Sequence, residues 1–172
     1  LAIPGQHELA LALPWGGTSH PVWFKRDPRV ANCRVLGGVF NRALMLGVPQ
    51  IVAAALEATA GMEDDERYQA LSETAAGVQS EMPPRENPRI NKSVESVHAS
   101  GPLGRAHCAI FGNSNYKQTG LLQAYAAYSL LQQPPKRAGF ASGCQAFGHH
   151  ELLGVLRSYG LVAPPQLTVE QY

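Results

Sequence analysis

Gly101-Pro102-Leu103-Gly104 constrains this chain more than any other stretch. It separates two runs, 90–100 and 105–112, that are compatible with strands, and a short Gly/Pro break between such runs closes a β-hairpin. The chain must therefore build an antiparallel or mixed sheet around this hairpin.

The rest of the chain is read outward from there. Residues 7–13 alternate weakly and read as a short strand ending at Pro14, and 15–21 as a turn-rich loop. Residues 30–40 read as a strand with a bulge at Gly37-Gly38. Pro49 suits the first turn of a helix, with Ile51, Val52, Ala55, Leu56 and Thr59 at helical spacing and Gly61 as the stop. Met62-Glu63-Asp64-Asp65-Glu66 is an acidic opening for a second helix, running to about Gly77. Residues 82–88 are a linker or surface loop. Asn113-Ser114-Asn115 breaks the second hairpin strand, and Thr119 caps a helix over 120–133. That helix is apolar nearly all round, which predicts burial. Pro134-Pro135 stops it, 138–141 reads as a short strand, and a last helix through Leu152, Leu153, Leu156 and Tyr159 closes at Gly160. Elements in blocks of this kind predict one α+β domain over 1–172. Its antiparallel or mixed sheet has about five strands, with helices packed on one face. Leu56, Leu122 and Leu131 are its expected core.

With 172 residues, 45% apolar and 16% charged, the chain has material for a core and is not of disordered type. Lys+Arg is 14 against 13 Asp+Glu, a net charge of +1. This balance supplies no electrostatic case for nucleic acid or for a polybasic membrane surface, and no apolar run reaches membrane-helix length. Neither partner is expected. Cys33, Cys108 and Cys144 are sparse and odd in number, which points to a reducing, cytoplasmic setting. The chain opens Leu1-Ala2-Ile3-Pro4. The expectation is a fragment, or the second domain of a longer protein.

Chemistry-bearing motifs are few. No strand–GxGxxG–helix unit and no GxxxxGK[ST] loop is present, and the glycine pairs read as turns and a bulge. No GxSxG elbow is present either. His107 and Cys108 alternate across a strand, and adjacent His149 and His150 point about 100° apart on a helix. Neither pair has metal-ligand spacing. Two segments hold more polar side chains than packing needs. One is Gly16-Gly17-Thr18-Ser19-His20. The other, 112–119, joins a strand to a helix, where free N–H groups and the helix dipole suit an anionic or carbonyl ligand. The plain alternative for the second is a helix cap plus a turn.

Asn115-Tyr116-Lys117-Gln118-Thr119 before an Ala/Leu-rich helix, then 137–143, then Phe147-Gly148 and the Leu152…Leu156…Tyr159-Gly160 helix, carry a resemblance. Over residues 8–162 the chain resembles the C-terminal half of saccharopine dehydrogenase-like oxidoreductases. Gly17, Thr18, Tyr116 and Thr119 match that pattern residue by residue. The resemblance implies a substrate-binding and dimerisation domain, a homodimer, and no cofactor site in this chain. NAD(P) is expected only where a Rossmann domain precedes it. On this reading Thr18, His20, Asn113, Tyr116, Thr119 and His149 face a small-molecule substrate, and the catalytic residues remain unassigned. The alternatives are a non-catalytic interaction module and a small stand-alone enzyme or ligand binder with an apolar pocket.

Overall fold

The structure is a computed structural model of the 172-residue chain and describes residues 7–14, 18–77 and 87–172. The fold is α+β, with five strands in two antiparallel sheets of two and three strands. The chain divides into two compact units, Leu1–Glu81 and Met82–Tyr172. Among the described residues the number of strands matches the five expected, but they are shared between separate sheets and one of them lies at a place not expected.

In the first unit β1 (Leu13–Pro14) pairs antiparallel with β2 (Leu36–Gly37). Both are shorter than the strands expected over 7–13 and 30–40. Gly38 has a packing role: a Cβ there would stand 2.7 Å from the Leu11 carbonyl oxygen and 3.1 Å from Cε of Met45. Met45, the buried apolar side chain of this unit, fills that space. Helix α1 (His20–Phe24) occupies part of the stretch expected to be a loop, with Pro21 in its first turn. Helix α2 (Arg42–Ala58) starts well before Pro49, because Asn41 caps it: its Oδ1 accepts from Leu44 N at 3.0 Å. Pro49 therefore sits inside the helix rather than at its start, and a good cap outweighs one lost N–H. Leu56 is 49% exposed, against the expectation of burial. Helix α3 (Asp64–Gly77) carries its three acids in the first turn as expected.

The second unit is built on the hairpin. β3 (Lys92–Gly101) pairs with β4 (Gly104–Asn113) along their whole length, from Lys92↔Asn113 to Gly101↔Gly104. β5 (Gln166–Gln171) adds to the other side of β4, in the order β3-β4-β5. Sequence reading missed β5, and its candidate at 138–141 forms no strand.

Helix α4 (Asn115–Gln132) starts after Ser114 and not at Thr119. Thr119 instead donates its hydroxyl to the Asn115 carbonyl oxygen, one turn back. The side of α4 through Gln118, Leu121, Leu122, Tyr125, Ala126 and Ser129 is half-buried, an i, i+3, i+4, i+7 stripe. Leu131 lies off it at 83% exposure and Leu122 is half-buried, so the predicted burial fails for both. An all-apolar helix does not have to be an all-buried one.

Helix α5 (Gly143–Phe147) opens with a capping box between Ser142 and Gln145. Helix α6 (His149–Ser158) packs against α4 and α5 and contributes buried Leu156. It ends in a Schellman turn: Gly160 takes φ 66°, Gly160 N donates to Arg157 O, and Leu161 N donates to Leu156 O. No helix among the described residues is long and apolar enough to cross a membrane.

Candidate functional site

Strand alternation sorts the three-stranded sheet into two unlike faces. Ser96, His98 and Ser100 of β3, Arg105 and His107 of β4, and Thr168 and Glu170 of β5 share one face, as the register requires. Val97, Ala99, Ala106, Cys108, Leu167 and Val169 share the other. Val97, Leu167 and Val169 are 63%, 66% and 59% exposed.

The polar face holds an ordered cluster. His98 and His107 are cross-strand partners, and their rings stack with centroids 4.1 Å apart and planes 5° from parallel. Ser96 Oγ lies 2.9 Å from His107 Nε2 and 3.2 Å from His98 Nε2. One hydroxyl carries one proton and two acceptor lone pairs, so it donates to at most one of the two rings and can accept an N–H from either. The serine thus ties the two imidazoles together through one oxygen. In the next row, Arg105 donates from Nε and a terminal nitrogen to one Glu170 carboxylate oxygen at 2.8 and 2.6 Å. A groove of about 330 Å³ lies over these residues, lined also by Ser100 and Thr168. Ala99 and Ala106 complete the lining, so hydrogen-bonding and charged groups stand beside apolar surface.

The six residues singled out from sequence are placed elsewhere. Asn113, Tyr116 and Thr119 follow one another at the β4–α4 junction. Asn113 donates from its side-chain amide to the Gly160 carbonyl oxygen at 3.2 Å, and Tyr116 is 52% exposed. His149 lies in the first turn of α6 with its ring 4.1 Å from that of His150. Thr18 and His20 belong to the first unit, where the His20 ring meets Trp23 edge-on at 5.5 Å. Gly16 and Gly17 lie outside the described residues.

The junction contains the most buried side chain described. Ser114 is 0% exposed, adopts the left-handed conformation (φ 50°, ψ 61°), and its Oγ has no hydrogen-bond partner among the described residues. Gly112 is pinned beside it, since a Cβ would meet Gln118 Nε2 at 2.7 Å and Ser93 Oγ at 2.9 Å. Gln118 Nε2 in turn donates to the Asn113 carbonyl oxygen at 2.8 Å. The side-chain amides of Asn113 and Gln118 are spent on holding this junction together. Among the described residues no three His, Cys, Asp or Glu side chains gather to hold a metal ion.

A family model matches residues 1–171: DUF5938, a family of unknown function. The chain belongs to that family. The DUF5938 match runs through both units, so the helical first unit and the sheet of the second are parts of one family pattern. No curated protein and no solved structure matches the chain.

Proposed function

We propose that this chain is a substrate-binding and dimerisation domain that works beside a nucleotide-binding domain, in the manner of saccharopine dehydrogenase-like oxidoreductases. The two-sided sheet carries the reading. One face offers a small-ligand groove beside an imidazole pair, and the other offers an apolar surface of the kind that marks association sites. Arg105, His98 and His107 supply the donors for a small carboxylic acid, Ser100 and Thr168 the neutral hydrogen bonds, and Ser96 holds the two rings. The chain's own role is to bind and orient. NAD(P) belongs to the partner domain. A reducing cytoplasmic setting accords with three thiols that are free in the structure.

The test is calorimetric, on the purified chain. NADH and NADPH are expected to give no low-micromolar binding, whereas small carboxylic acids such as succinate give a saturable heat that His107→Ala removes. Tight NADPH binding, or heats that survive His107→Ala, would contradict the reading. The uncovered apolar face also favours a second reading, a non-catalytic interaction module. That reading gains if no small acid gives a heat.

A further inference from the structure

The outer edge of β5 is built to pair with another strand. All six residues of β5 are exposed, and the strand is an edge of its sheet. Tyr172 N donates to the Leu103 carbonyl oxygen. By the alternation of an antiparallel ladder, this turns the backbone N–H and C=O of Leu167, Val169 and Gln171 away from β4. Edge strands usually carry lysine, proline or a bulge to block such pairing. Gln166–Gln171 has no lysine or proline and pairs with β4 residue for residue, without a bulge.

We propose that β5 pairs antiparallel with β5 of a second copy about a two-fold axis through Thr168, making one continuous six-stranded sheet. The proposal rests on the reading above, in which the polar face binds ligand and the chain dimerises. It adds the edge, the register and the part the second copy plays in the site.

The sequence of β5 selects the register. A two-fold axis normal to the sheet keeps each face continuous, so opposed residues must share a face. With the axis at Thr168, Leu167 faces Val169 of the second copy twice on the apolar side, and Gln166 faces Glu170 twice on the polar side. No like charges are opposed, and Arg105 already neutralises Glu170 at 2.6 Å. Moving the axis to Val169 sets Leu167 against Gln171. Moving it to Leu167 draws Pro165, which has no N–H, into the ladder. The Thr168 axis keeps apolar against apolar over 166–170 and leaves Pro165 only at the end of the ladder, opposite Gln171 of the second copy.

This arrangement completes the groove. Its floor lies on β4 and β5, at Arg105, His107, Thr168 and Glu170, and β5 ends the sheet on that side. The second copy supplies Thr168 and Gln166 as the next strand, so each groove is walled by both chains.

The experiment uses the whole chain in two arms. In the first, sedimentation is run on the wild-type chain and on Val169→Pro. Proline at an outward-facing edge position removes the inter-copy N–H while leaving the β4 ladder intact. The wild type is expected at twice 18.5 kDa, and the variant at 18.5 kDa with an unchanged circular dichroism spectrum. In the second arm, Thr168→Cys is oxidised and compared with the wild type, whose own Cys33, Cys108 and Cys144 serve as background. Opposed residues on antiparallel strands bring Cβ atoms within disulfide range. The variant is therefore expected to cross-link to a covalent dimer and the wild type not.

A wild type that stays at 18.5 kDa at micromolar and higher concentrations overturns the proposal. So does Thr168→Cys cross-linking no more than the wild type, and that arm decides the matter alone if Val169→Pro fails to fold. A dimer that survives a well-folded Val169→Pro also overturns it, and points to the apolar face or a helix as the contact. Dimerisation through β5 without any acid binding would retain the pairing and remove the ligand reading.

Discussion

At the scale of single residues, two local arrangements make opposite demands on stability. Asp27 and Arg29 form a close pair at the surface, with Arg29 nitrogens at 2.9 and 2.6 Å from the Asp27 carboxylate. Hydrogen bonds from the Arg29 side chain, then from its backbone N–H, pull the Asp27 pKa down from 3.8 to about 2. A lowered acid pKa stabilises the fold above the unfolded value, and the contribution disappears as pH falls through the folded one. NMR titration should therefore find the Asp27 carboxyl midpoint near 2, and Arg29→Ala should return it toward 3.8. A wild-type midpoint already at the ordinary value would contradict the pairing. Ser114 works the other way. A left-handed non-glycine residue costs roughly 1–2 kcal/mol, and a buried hydroxyl without a partner costs about as much again. Glycine relieves both at an unfolded-state penalty of roughly 0.5–1 kcal/mol. Ser114→Gly should thus raise stability by roughly 1–3 kcal/mol in denaturant unfolding, and a loss of stability would show that the hydroxyl has a structural bond.

At the scale of elements, β4 and β5 approach closely at Gly104. A Cβ on Gly104 would run into the Glu170 carbonyl oxygen and stand 3.2 Å from Gln171 Cα. Neither atom is on a flexible side chain, so Gly104→Ala must push β5 away, at about 1–3 kcal/mol or more. Hydrogen exchange should show β5 amides losing protection while those of the β3–β4 ladder keep theirs; uniform protection would contradict the seam. The hairpin was legible because Gly101-Pro102-Leu103-Gly104 acts through local turn chemistry. Its register was legible too. Pairing Gly101 with Gly104 sets His98 opposite His107, so the imidazole pair follows from the turn once both strands are counted back from it. The sequence reading weighed His107 only against its neighbour Cys108. β5 left no such trace: two prolines precede it, its alternation is short, and its partner strand lies more than fifty residues away. Helix starts were misplaced for one reason in both cases. Asn41 and Ser114 begin α2 and α4, and each lies upstream of the apolar periodicity that drew attention to Pro49 and Thr119. The six candidate site residues came from polar clusters near turns. At the β4–α4 junction those side chains serve the backbone, whereas the groove is made by residues that alternate invisibly through strands.

At the scale of the whole molecule, little apolar surface is covered among the described residues. Among the described residues the buried hydrophobic side chains are Met45, Ala109 and Leu156, while Val97, Leu167 and Val169 stand open on one face of the sheet. A chain with net charge +1 has little self-repulsion to keep such surfaces apart, so association is the expected state. On the proposed reading the same sheet has three uses: an edge for a second copy, an apolar face for a neighbouring layer, and a polar face for ligand. Histidine-ring NMR decides whether the polar face takes a ligand as proposed. Succinate is added to the intact chain while the ring protons of all six histidines are followed. Saturable shifts are expected at His98 and His107, with no change at His20 or His149 and no change anywhere on adding NADPH. Shifts at His149 or His20 with His98 and His107 unmoved would contradict it.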